Sequence, residues 1–111
     1  MLSILIPNFN DDCQDLIHQL VKEIQNLNFD VEIIIGDDAS TLESVYKSYN
    51  MLKLLPNVRI LVNEQNLGRE KTRVNLAKSA QYNFLLFFAT FFESYRSLVI
   101  GDKTLCYCLL Y

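Results

Sequence analysis

A chain of 111 residues, half of them apolar, has room for one packed domain and excludes a disordered or fibrous class. Its formal net charge of −3, with no run of Lys or Arg, excludes the electrostatic footprint of a nucleic-acid binder. The longest apolar stretch, residues 84–92, is far short of the roughly 20 residues of a membrane helix, and residues 1–7 carry no basic leader, so a soluble protein is expected.

Residues 2–6 form an apolar run stopped by Pro7 and Asn8, which predicts a buried strand entering a loop. Asn10, Asp11 and Asp12 are candidate caps for a helix over 13–27, where Leu16, Ile17, Leu20, Ile24 and Leu27 recur at helical spacing. Residues 31–35 predict a second buried strand, rich in β-branched side chains and closed by Gly36-Asp37-Asp38. Ser40 or Thr41 is the expected cap of a helix reaching residue 54, with Glu43 in its first turn. Pro56-Asn57 makes a turn, and residues 58–62 predict a third strand that ends at Asn63. Gly68 opens a helix over 69–80, and residues 84–88 predict a fourth strand. Beyond Glu93 the pattern weakens, and a short helix over 94–98 and a strand over 104–110 are expected.

The order βαβαβαβ, with strands apolar on both faces, predicts an α/β fold: a Rossmann-like three-layer sandwich around a mainly parallel sheet. In such sheets ligands bind beyond the carboxyl ends of the strands. Polar residues collect there: Asn8 and Asn10 after the first strand, Asp37 and Asp38 after the second, and Asn63, Glu64 and Asn66 after the third. The fourth strand instead runs into Ala89-Thr90-Phe91-Phe92.

Three clusters in this order resemble a known family. Residues 3–10, ending Pro7-Asn8-Phe9-Asn10, resemble the opening strand of family 2 glycosyltransferases, which ends in Pro-x-Tyr-Asn. Residues 32–40, with Asp37-Asp38-Ala39-Ser40, resemble that family's second strand and its Asp-Asp-x-Ser. Asn66-Leu67-Gly68, with Arg73 five residues on, resembles its Asn-x-Gly segment and the helix that carries an Arg-Asn pair. The resemblance implies the amino-terminal half of a GT-A fold over residues 1–92, a nucleotide-sugar partner such as a UDP-sugar, and transfer of the sugar to an acceptor. It also implies roles. Pro7, Asn8, Phe9 and Asn10 would form the floor beneath base and ribose, with Phe9 keeping the ring of the family's Tyr. Asp37 or Asp38 would accept a hydrogen bond from the base. Gly68 would let the backbone approach closely, Asn66 would belong to the same nucleotide-binding segment, and Arg73 would face the diphosphate.

The departures carry as much weight. The family holds Mg²⁺ or Mn²⁺ with an Asp-x-Asp motif, and Ala89, Thr90 and Phe91 occupy that slot, so the metal site is expected to be lost. Val74 stands where the family has Asn, although Asn75 follows. The family's catalytic base lies in a second half that this sequence does not carry, so no catalytic residue is assigned. Residues 88–111 lose motif order at once, which favours truncation, with or without a reading-frame slip near residues 88–92, over a degenerate relative that binds without turnover.

Simpler readings stand beside these. Asp37 and Asp38 could serve loop solvation and capping, Asn66 and Gly68 an ordinary turn, Arg73 a solvated helix face, and His18 a surface position. Cys13, Cys106 and Cys108 are odd in number and lack metal-site spacing, which fits packing in a reducing, cytoplasmic setting. The competing function is a non-catalytic module that pairs through a Phe-rich edge, as a homodimer. A phosphoryl-accepting receiver domain is disfavoured, because residues 84–88 end without the Asp it needs.

Overall fold

A computed structural model describes residues 1–89, 97–100 and 103–109. Alternating strands and helices follow the expected order: β1 (Leu2–Asn8), α1 (Gln14–Ile24), β2 (Val31–Asp37), α2 (Glu43–Leu52), β3 (Val58–Val62), α3 (Arg69–Ser79) and β4 (Phe84–Ala89). Two further strands follow, β5 (Ser97–Ile100) and β6 (Lys103–Leu109). They join one six-stranded sheet in the order β3-β2-β1-β4-β6-β5.

The sheet is parallel from β3 through β6, and β5 runs antiparallel beside β6. Period-two alternation sends successive side chains to opposite layers. Ile4, Ile6, Ile33 and Ile35 pack with Ile17 and Val21 of α1 and Val45, Tyr49 and Leu52 of α2. Leu5, Ile34, Leu85 and Phe87 pack with Leu76 and Ala77 of α3. Both faces are therefore covered, which is why β1 and β2 read as continuous apolar runs. Gly36 lets α3 approach the sheet closely. A Cβ at this position would lie 2.7 Å from the Leu76 side chain.

Three expectations change. Ser97 and Leu98 are extended in β5, where a helix over 94–98 was expected; residues 94–96 lie outside the described residues. The β-branched Val99 and Ile100 favour that strand. Neither Ser40 nor Thr41 caps α2 with its side chain. Asn10 instead ties down the loop before α2, its Oδ1 accepting from Thr41 N at 2.7 Å and Leu42 N at 3.2 Å, and α2 has no side-chain cap. The Phe-rich strand β4 is internal, because β1 and β6 flank it. Phe87 and Phe88 are buried and Phe84 is 64% exposed at its start, while Phe91 and Phe92 lie outside the described residues. No helix among the described residues is long and apolar enough to cross a membrane.

Candidate functional site

Parallel pairing sets Asn8 beside Asp37 and Asp37 beside Val62, so the strand ends form one rim. The ladder continues one step past it: Asp38 N donates to Asn8 O, and Asn63 N to Asp37 O, each at 2.9 Å.

The two adjacent carboxylates part company here. Asp37 keeps the parity of Ile33 and Ile35 and points into the α2 layer, fully buried. It accepts from Ser40 N at 2.9 Å, from Ser40 Oγ, and from Tyr49 Oη at 2.6 Å. Tyr46 Oη reaches it at 3.3 Å while donating to Ser40 O at 2.6 Å. A buried carboxylate is tolerated only with such partners. Burial first, then the bond to Asp37, pushes the Tyr49 phenol well above its ordinary value. Burial and the Asp37 charge raise that of Tyr46.

Asp38 turns the other way, toward α3. Its Oδ1 accepts from Leu67 N at 2.7 Å and Asn63 Nδ2 at 3.0 Å, and its Oδ2 from Gly68 N at 3.0 Å. Its carbonyl takes Asn66 Nδ2 at 3.1 Å. Burial alone would raise the carboxyl pKa. The hydrogen bonds from Leu67, Asn63, Gly68 and Thr72 outweigh it and leave the group below its ordinary value. Gly68 has φ +90 with open space where a Cβ would sit, so conformation and not close approach calls for glycine. The chain turns there into α3, whose first turn faces the end of β1.

Between them lies a cleft of about 370 Å³, within the range of small-molecule sites. Of the residues expected from sequence, Pro7, Asn8, Phe9, Asp38, Asn66 and Gly68 line it. Phe9 is 46% exposed at its mouth. Asn10, Asp37 and Arg73 do not line it. Asn10 is spent on the loop before α2, Asp37 on the tyrosines, and Arg73 sits one turn further along α3 and half-buried.

Asp11, Arg69 and Thr72 complete the wall and were not singled out. A signal existed for two of them. Counting back four from Leu76 reaches Thr72 and three more reaches Arg69, on one helix face, a spacing that does not rank Arg69 above Arg73. Asp11 looked like a cap, and it is Asp12 that accepts from Gln14 N, at 3.0 Å.

Asn8 is 3% exposed and holds a particular place. Its Nδ2 donates to Asp11 O at 2.9 Å and to Tyr49 Oη at 2.7 Å. Its Oδ1 is buried without a hydrogen-bond partner among the described residues. Such an orphan costs about 1–3 kcal/mol.

Among the described residues of the rim, Cys13 is the one thiol. Burial, helped by the neighbouring Asp12 charge, pushes the buried Cys13 thiol up to about 11, so it stays protonated and inert. No group of three His, Cys, Asp or Glu that could hold a metal occurs among the described residues. Ala89, at the end of β4, offers no donor atom, and Thr90 and Phe91 lie outside the described residues. A second cavity of about 250 Å³ lies at the opposite end of the strands, by Leu27, Phe29, Val31 and Tyr82.

The family model described as glycosyl transferase family 2 matches residues 3–89, from β1 through β4, and so spans every residue of the cleft. No curated protein was found to match the chain.

Proposed function

The chain belongs to glycosyltransferase family 2, and on that premise we propose that its cleft holds the nucleoside diphosphate of a nucleotide-sugar donor, without turnover. The observation that carries this reading is convergence. The tip of β1, the carboxylate after β2 and the first turn of α3 meet in one cleft at the carboxyl rim of the sheet. The base lies on the Phe9 ring, whose exposed face offers stacking. The diphosphate lies toward Arg69, whose guanidinium suits phosphate oxygens, at the positive end of α3.

Family members commonly use a divalent cation, which offsets charge on the leaving diphosphate. The described residues do not fit one. Ala89 has no donor, and the Asp38 carboxylate is occupied by the amides of Leu67 and Gly68. Binding without transfer is the reading this supports. The family match stops at residue 89, which supports placing the departure from the family there and treating residues 93–111 as a tail foreign to it. A cytoplasmic location belongs to the same proposal and rests on cysteine usage.

Calorimetry of the full chain with UDP tests this. Measurable binding is expected, unchanged by added Mn²⁺. Arg69→Ala should weaken UDP about tenfold while leaving uridine nearly unaffected, since a charge-assisted phosphate contact is lost. No heat and no thermal shift at millimolar UDP would overturn the reading. If the chain then also eluted as a stable dimer, the interaction-module reading would take its place.

A further inference from the structure

Strand β4 has a composition that makes an open edge hazardous. Its six residues read Phe-Leu-Leu-Phe-Phe-Ala from Phe84 to Ala89, with no charge, proline or glycine. Open on one side, such a segment offers unpaired N–H and C=O groups to any strand that meets it, a second copy of the chain included. On its inner side β1 covers β4 from Phe84 to Phe87. On its outer side β6 covers the whole strand, from Phe84 opposite Thr104 to Ala89 opposite Leu109. Among the described residues, Phe88 and Ala89 are in register with β6 and not with β1.

Beyond β6 the sheet steps down. Its last strand, β5, has four residues and pairs with β6 from Lys103 to Cys106. A very short margin is one way in which sheets avoid edge-to-edge association. The family match stops at residue 89, so the two strands that form this margin lie outside it. We propose that residues 97–109 are an edge cap: β6 fills the outer side of β4 within the same chain and denies the Phe-rich strand to a second copy. The outer side of β4 is thus a surface for strand addition, where main-chain hydrogen bonds supply the binding, and its occupant is this chain's own β6. A homodimer through that edge requires β6 to leave. The inference does not rest on the nucleotide reading of the cleft.

Sedimentation and amide hydrogen exchange on the full chain test it. The wild type should sediment as a monomer, and the amides of β4 should all exchange slowly, including the alternate ones that point away from β1. Leu105 pairs with Leu85 on one side and Leu98 on the other, so Leu105→Pro strikes both ladders of β6. That variant should keep the helical circular dichroism of the wild type yet self-associate, its apparent mass at least doubling as concentration rises. Phe84 is exposed at the start of β4. Adding Phe84→Lys to Leu105→Pro sets a charge on the opened edge and should restore the monomer. Fast exchange at the outer amides of β4 in the wild type overturns the inference, as does a folded Leu105→Pro that stays monomeric. Association that persists with Phe84→Lys moves the contact away from β4 and overturns it as well. So does a wild-type dimer that Phe84→Lys alone dissolves, because the edge then serves a second copy. If Leu105→Pro does not fold, the exchange pattern of the wild type decides.

Discussion

Asp37 and Asp38 are neighbours in the chain and serve opposite layers. Asp37 anchors α2 through Tyr46, Tyr49 and Ser40. Asp38 pins the turn before α3. The sequence presented them as interchangeable acceptors for a base. Parity along β2 does separate them, since Asp37 falls in step with Ile33 and Ile35. Parity does not say which helices cover which face, so the burial of Asp37 was not legible. Removing the Asp38 carboxylate leaves the amides of Leu67 and Gly68 without their acceptor. Asp38→Ala should therefore lower stability by about 3 kcal/mol in urea denaturation. The pH dependence follows from the direction of its shift. The folded pKa lies below the ordinary 3.8, so the unfolded chain takes up the proton first as pH falls. Stability from this group is full above 3.8 and is lost as pH drops through the lower folded value. In Asp38→Ala that acid-side loss should shrink, as thermal melts between neutral and strongly acidic pH would record.

At the scale of elements, β1 to β4 and α1 to α3 were legible because apolar periodicity and turn residues agreed. The caps were less so. Asn10 holds the loop before α2 from across the gap between two loops, a contact that no local rule for Ser40 or Thr41 contains. Arg73 and Arg69 lie on the same helix, one turn apart, and spacing alone does not say which reaches the rim. Strand β5 escaped notice because residues 97–100 carry no strong alternation and pair only with β6. The packing of α3 on β2 depends on Gly36, where a methyl group would meet Leu76 at 2.7 Å. Gly36→Ala should cost roughly 1–3 kcal/mol through overpacking, seen as a lower urea midpoint with an unchanged slope. An unchanged midpoint would mean that Leu76 yields freely.

At the scale of the whole molecule, one sheet sets the geometry of the site. Parallel strands bring three loops, distant in sequence, to a single rim, and α3 closes it. The sheet continues past β4, where β6 pairs with it from Phe84 opposite Thr104 to Ala89 opposite Leu109. The cleft lies within the span that matches the family. The opposite end of the strands offers the competing cavity by Leu27, Phe29 and Tyr82.

A titration of backbone amide NMR shifts with UDP distinguishes the two ends in one measurement. Shifts at Phe9, Asp38, Asn66, Gly68 and Arg69 should saturate on one binding curve, while those of Phe29, Val31 and Tyr82 stay still. Shifts confined to the opposite end, or no shifts at millimolar ligand, would contradict a nucleotide site at the carboxyl rim.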